Sequence, residues 1–469
     1  MSDGHNTTTS SGNGPIALAH LKLMLLILLH HLTSSPGPSA AAFYPDCFDL
    51  STDVQADEFR RHFRWNAASA ILRIVAEDDF VYAPSAAVVS GVARDVLAAL
   101  LEADPQERIA GNRNVWIIKP ACMSRGRGIG CYNNIDDLLR HANIQTKMSS
   151  TANAAAGGLA ASRRTELLAL EDGPRRGSVA DKWVVQRYIE RPLIVHRRKF
   201  DLRQWVVVSS WNPLKVWFYD KCYVRFAAED YDGETGDIGN IFAHLTNNCI
   251  ARHSLDFAAK DVTGEGNIWL ETCPAGARLK QRREGVDSVW SDFVQPAMKD
   301  AVKRTVQCAQ EHMLSAARFN SHQLYGYDFM LDEDLGVWLI EVNTSPQLCH
   351  STSVTARLCP EMARDLVKLM VDAPAHEMRE RKAVKGDDNG EKIADSSMFD
   401  ECDTGWWRCI YADPIRIAWP RPGGARPGVP LYVDGKPLRR KHRFSAAKSS
   451  PPPPFDTSTT IADNKTATS

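Results

Sequence analysis

Two carboxylates and an amide lie within sixteen residues of one another in Leu324–Pro346, LYGYDFMLDEDLGVWLIEVNTSP. The segment reads as two β-strands joined by a short acidic turn. A four-residue turn at Glu333–Gly336 sets Asp328 opposite Glu341, and Asn343, two residues on, shares the face of Glu341. Facing carboxylates repel. The neighbours Phe329, Leu331, Leu339 and Val342 lower the local dielectric and sharpen that repulsion. A hard divalent cation relieves it most simply. Oxygen-only ligands of this kind suit Mg²⁺, which usually keeps positions open for phosphate oxygens. The plain alternative is a solvated edge hairpin with a carboxylate salt-bridged to a lysine.

Cationic side chains are placed to meet such phosphates. In Lys199–Trp205 (KFDLRQW), period-two alternation sets Lys199, Asp201 and Arg203 on one face and Phe200 and Leu202 on the other. Three charges beside so apolar a run suggest a polar cleft, with a solvent-facing sheet as the alternative. Lys199 can hold ATP phosphates. The planar fork of Arg203 matches a γ-phosphate or a carboxylate, and Arg225 can converge on the same cleft. The loop Ser124–Gly130 (SRGRGIG) follows a strand ending at Lys119, and its glycines let backbone N–H groups approach an anion. It lacks the Gly-Lys-Ser/Thr ending of a Walker A loop. Trp183–Ile189 (WVVQRYI) runs into Glu190-Arg191-Pro192 and reads as an inter-lobe linker or a buried strand. In His244–Asn248 (HLTNN), Thr246 and Asn247 can orient a nucleotide or an amine, or simply cap a turn. No nucleophile–histidine–acid set stands out, and no metal-ligand spacing appears among the histidines.

The elements that must position these groups follow from pattern. The spacing predicts a helix over Glu58–Glu77 with Phe63, Ala67, Ala70, Ile71, Ile74 and Val75 facing inward. Strands are predicted at Val115–Lys119, Trp183–Ile189, Phe200–Ser209 and Leu214–Phe226, and helices at Pro296–Ala317 and Pro360–Val371. The 469 residues divide into an extension (1–42), a partial N-terminal lobe (43–114), a central lobe (115–190) with an Ala/Ser/Gly-rich insertion at about 144–182, a catalytic lobe (191–372) and a polar, basic, Pro-rich tail (373–469). Ile16–Leu32 is apolar and ends near the small residues Ser39–Ala42, as a secretory signal does. Lys22 and the histidines at 20, 30 and 31 break its character, the stretch before it lacks Lys and Arg, and it reads as a membrane-neutral extension. A net charge of -1 implies no global field for nucleic acid or membrane. Eleven scattered cysteines favour reduced thiols.

In this order, Lys119-Pro120, Ser124–Ile129, Trp183–Ile189, Lys199–Trp205, His244–Asn247, Tyr327–Phe329 and Ile340–Pro346 resemble the tubulin–tyrosine-ligase-like family, from about Phe43 to Val371. The resemblance implies an α+β ATP-grasp fold with a mostly antiparallel catalytic sheet and ATP bound between two lobes. It implies that Lys119 and Lys199, with Asp201 beside them, hold the phosphates under the loop Ser124, Arg125, Gly126, Arg127, Gly128 and Ile129. Gln186 and Ile189, with Arg187 and Tyr188 between them, border the adenine. Asp328, Glu341 and Asn343 bind Mg²⁺, and Arg203, Arg225, Thr246 and Asn247 hold the acyl phosphate and the incoming amino acid. Ser124-Arg125, Trp211–Phe218 (WNPLKVWF) and Asp403–Tyr411 (DTGWWRCIY) look most like the glycylases of that family. The implied partners are the acidic tails of tubulin in microtubules and free glycine, and the implied location is the cytoplasmic cytoskeleton, in the cilium or axoneme. Arg191, Arg197, Arg198 and the basic segment Lys436–Lys448 are the expected basic surface, the last as a solvated tail or a microtubule contact. Sequence before Phe43 departs from the family, and the insertion sits where a flap would cover the nucleotide.

Overall fold

The computed structural model describes residues 40–77, 84–121, 126–142, 182–233, 236–255, 268–270, 289–313, 322–372, 402–413, 432–433 and 436–437. The apolar run Ile16–Leu32, the loop residues Ser124 and Arg125, nearly all of the 144–182 insertion and most of Lys436–Lys448 lie outside them. Among the described residues no helix is long and apolar enough to cross a membrane. In residues 419–469, a separate unit, the described residues form the short hairpin Tyr432–Val433 with Lys436–Pro437.

Helices mix with antiparallel sheets. The smaller sheet has the order β1 (Cys47–Asp49), β4 (Trp183–Arg187), β2 (Trp116–Pro120), β3 (Gly130–Tyr132). Helix α1 (Asp53–Glu77) packs Phe59 and Phe63 against Trp116 on one face of it. The buried stripe of α1 matches the apolar spacing only in part: Phe63 and Ala70 are buried as expected. Ile71 and Ile74 are exposed, whereas Asn66, Ser69 and Arg73 are buried. Arg73 pairs with Glu107, which also accepts from Ser69 (2.6 Å) and from Arg187 (3.0 Å). A buried ionic network sets the rotation of the helix, and hydropathy alone does not register that. Helix α2 (Pro84–Ala103) packs on α1.

The larger sheet carries the site. Strands β5 (Phe200–Trp211) and β6 (Leu214–Phe226) form a long hairpin, followed in the chain by β7 (Ile268–Leu270), β8 (Gln323–Leu331), β9 (Val337–Asn343) and β10 (Trp407–Ala412). The order is β10-β6-β5-β8-β9, with β7 also on β6, and every pairing is antiparallel. One face buries Phe200, Leu202, Val206 and Val208 with Met298 and Val302 of α3 (Gln295–Met313). The other buries Trp205 and Val207 with Val354, Leu358 and Met362 of α4 (Ser353–Val367). Both helices were legible, but α4 starts seven residues before the predicted Pro360. Thr352 caps it in a reciprocal pair with Thr355, and Pro360 sits inside. The helix-start rule for proline therefore misplaces its N-terminus.

The tail expected from residue 373 returns to the fold at 402–413. Strand β10 pairs with β6, and Trp407 is fully buried against Tyr219 (centroids 4.9 Å apart). Trp407→Ala is expected to cost about 3–5 kcal/mol, read as a lower urea midpoint. An unchanged midpoint would mean that this strand adds nothing to the sheet.

Candidate active site

The Asp328–Glu341 pairing predicted from sequence is present, reached by a different path. The turn spans five residues, because Leu331 pairs with Val337 rather than Asp332 with Val337. A bulge between Asp328 and Phe329 on the β8–β9 ladder then shifts the register by one and restores Asp328 opposite Glu341. Asp332 sets the wider turn: its carboxylate accepts from the backbone N–H of Asp334 (2.9 Å) and Gly336 (2.6 Å) and from Trp338 Nε1 (2.9 Å).

Register places charged side chains next to one another across four strands, two pairs of opposite sign and one pair of carboxylates. Asp201 faces Arg225, Arg203 faces Asp328, and Asp328 faces Glu341. Arg225 donates to Asp201 through Nε (2.7 Å) and Nη2 (2.5 Å), and that Nη2 also lies 2.9 Å from Asp328. Arg203 binds Asp328 through Nε and Nη2. Thr246 Oγ1 donates to Asp201 Oδ2 (2.6 Å). Two guanidinium groups of the protein, rather than a cation alone, thus relieve much of the repulsion expected at Asp328. Burial raises the Asp328 pKa, but Arg203 and Arg225 outweigh burial and hold it well below the usual carboxylate range.

The donor set still fits Mg²⁺. Asn343 Nδ2 lies 3.2 Å from Asp328 Oδ2 and 3.1 Å from Glu341 Oε1, so the three end groups converge on one point. Reversing that amide puts a third oxygen there, an arrangement only a cation favours. Among the described residues no group of three or more His, Cys, Asp or Glu makes a denser site. Two carboxylates and one amide would hold Mg²⁺ and would leave it room for further oxygen ligands.

These groups open onto a cleft of about 540 Å³, of a size to take a nucleotide. Lys119, Gly126, Arg127, Ile129, Gln186, Arg187, Tyr188, Ile189, Lys199, Asp201, Arg203, Arg225, Thr246, Asn247, Asp328, Glu341 and Asn343 all line it; Gly128 does not. Lys119 Nζ donates to Gln186 Oε1 (2.6 Å), while Gln186 Nε2 is buried without a partner. An orphaned donor in a cleft is what a ligand acceptor would satisfy. Gly126 has φ +75°, and a Cβ there would strike Ile250. Arg187 lines the cleft, but its guanidinium is paired with Glu107 and Asp104. Asp201 has its oxygens committed to Arg225 and Thr246, so it positions them rather than reaching phosphate. Arg198, expected on the basic surface, is buried over the Phe226 ring, and Arg191 and Arg197 pair with Glu333 and Asp230.

A profile of the tubulin-tyrosine ligase family matches residues 84–380. The chain belongs to the tubulin-tyrosine ligase family. Its relatives include tubulin glycylase 3C of Tetrahymena thermophila, 38% identical over 57% of this chain and 21% of that protein. Tubulin monoglycylase TTLL3 of Mus musculus is 34% identical over 76% of this chain and 32% of its own length. Protein monoglycylase TTLL8 of Homo sapiens is 36% identical over 59% of this chain and 28% of its own length. The matched part of this chain thus spans a third or less of these relatives.

Of the cleft residues of this tubulin-tyrosine ligase family member, Tyr223 and Arg252 were not singled out from sequence, and His244 and Asn248 were named only as the ends of a polar cluster, without a role. Tyr223 stands opposite Arg203 on β6, and His244, Asn248 and Arg252 border the two short helices Ile241–His244 and Asn248–Ala251. Asn248 Oδ1 is buried without a partner. Its place directly after Asn247 was the available signal.

Proposed function

We propose that this chain is an ATP-dependent carboxylate–amine ligase that joins glycine to glutamate side chains in the C-terminal tails of tubulin. The acceptor carboxylate attacks the γ-phosphorus of ATP, giving an acyl phosphate and ADP. The glycine α-amine then attacks the acyl carbon, an amide forms, phosphate leaves and the amine proton passes to solvent. The barrier to the first step is electrostatic, because an anion approaches a polyanion.

The row of charges Arg225–Asp201 and Arg203–Asp328–Glu341, in one cleft with Lys119 and Lys199, carries this reading. Both guanidinium groups spend Nε and Nη2 on carboxylates, which leaves the Nη1 end of each for an anion in the cleft. Carboxylate partners hold these donors before the reaction starts, so little reorganisation accompanies charge transfer. Mg²⁺ held by Asp328, Glu341 and Asn343 would supply Lewis-acid neutralisation of the phosphate oxygens. Lys119 and Lys199 approach from the smaller sheet and the start of β5, so the nucleotide lies between two lobes in this reading. Similarity to tubulin glycylases supports glycine as donor and tubulin as acceptor, and hence a place on the cytoskeleton; a site of action in cilium or axoneme is part of the proposal.

Incubation with ATP, tubulin and either labelled glycine or labelled glutamate tests the proposal. Label from glycine, dependent on ATP and confined to the tails, is expected. Label from glutamate instead would make the chain a polyglutamylase. Tubulin binding without ATP consumption would make it a silent microtubule-binding protein.

A further inference from the structure

Lys199 is an unusual cation. It is only 2% exposed, yet among the described residues no carboxylate stands within ion-pair distance of its Nζ. Asp201, two residues on, is taken by Arg225 and Thr246. What faces the ammonium is aromatic: Nζ lies 3.7 Å from the centroid of the Tyr188 ring and 5.5 Å from that of Tyr231. Electron-rich ring faces stabilise a desolvated cation.

His244 ties the two rings together. Its ring meets Tyr188 and Tyr231 edge-on, at 5.5 and 5.6 Å between centroids. Its Nε2 lies 3.0 Å from the Asp237 carbonyl, which can only accept, so Nε2 carries the proton. Burial first, and the charge of Lys199 second, push the His244 pKa down to about 4, so the ring is neutral near pH 7. Nδ1 is then a bare acceptor, and the Tyr188 hydroxyl, 2.6 Å away, donates to it. A phenol that donates gains electron density in its ring, and the ring holds a cation better. The Tyr231 hydroxyl donates to the Glu190 carbonyl (2.9 Å) and also interacts with the Tyr188 hydroxyl.

We infer that His244 is a positioning residue for Lys199: through Tyr188 it fixes and enriches the aromatic clamp that keeps this ammonium charged and aimed into the cleft. The inference rests on the nucleotide reading only for what Lys199 then binds. Burial lowers the Lys199 pKa to about 7, so its charge is finely balanced near neutral pH. The groups that face it are Tyr188, Tyr231, Cys131, Asp201 and Lys119. Burial raises the Cys131 thiol to about 11, so it is neutral there and supplies no counter-charge. Those that face His244 are Tyr188, Tyr231, Lys199, Arg113 and Asp237. A clamp that favours the charged form holds the pKa up. Weakening it lowers the midpoint, and the ammonium is lost at lower pH.

The test follows Lys199 itself by NMR of ¹³Cε-lysine in the full-length protein, its signal assigned with Lys199→Arg, between pH 5.5 and 9. Tyr188→Phe, which keeps the ring but loses the donor, and His244→Leu are expected to lower the midpoint by about half a unit or more. His244→Asn puts an amide oxygen near the Nδ1 position and is expected to restore it. Affinity for ATP, measured by calorimetry at pH 8, is expected to fall about threefold or more in the first two variants, following the lost charge. An unmoved midpoint in Tyr188→Phe overturns the inference, even if His244→Leu unfolds. A moved midpoint in a protein that binds no ATP leaves the clamp standing and removes the nucleotide reading instead.

Discussion

Glu341→Gln is expected to lower glycine incorporation into tubulin by about a thousandfold or more, with the unfolding temperature unchanged to within about 1 °C. The asymmetry comes from the charge balance of the cleft. Arg203 and Arg225 are matched by Asp201 and Asp328, and Glu341 adds a third carboxylate to the row. Gln keeps the shape and can still accept from Asn343 Nδ2. It removes negative charge beyond what the two guanidinium groups balance, and with it the pull on a divalent cation. Labelled-glycine incorporation alongside thermal unfolding checks both halves. A near-normal rate would refute the assignment of Glu341.

Asp328→Asn should behave differently, because Asp328 serves the fold as well as the site. Neutralising it leaves Arg203 buried without its partner and takes one of two carboxylates from Arg225. A loss of about 3–5 kcal/mol is expected on breaking one side of such a buried pair, together with loss of ligation. The sign with pH follows from the depressed pKa. Its stabilisation is fully present above the ordinary carboxylate pKa and is lost as pH falls through the depressed folded value. The gap between wild type and Asp328→Asn should therefore narrow as pH drops below about 4. Urea midpoints of the two proteins, measured from pH 7 downward, give that difference. A gap that stayed constant would mean Asp328 is not held ionised by the two arginines.

Both expectations rest on residues that pattern alone identified. Alternation placed Lys199, Asp201 and Arg203 on one face, and apolar spacing separated Phe200 and Leu202 from them, because a strand's period survives whatever packs against it. The mutual satisfaction of the charges was not readable. Asp201 meets Arg225 only through the β5–β6 register, which shifts further along the hairpin. The β8–β9 hairpin is more instructive. A turn assumed one residue too short and an unseen bulge cancelled, and the pairing was right for the wrong reason. Helix α1 failed the other way: Ile71 and Ile74 look like core, and only the partner Glu107, some thirty residues on, makes Arg73 the inward residue. His244 read as part of a capped turn, since nothing local announces that Tyr188 and Lys199 will stand beside it.

The docking of β10 has a practical corollary. The family profile ends at residue 380, 27 residues before Trp407. A fragment trimmed at that boundary would carry β6 with the backbone groups of Lys215–Tyr219 left unpaired and the Tyr219 ring uncovered. Bare strand margins of this sort recruit other chains. Insolubility of a fragment so trimmed would reflect where the cut was made, and extending it to Asp413 is the remedy.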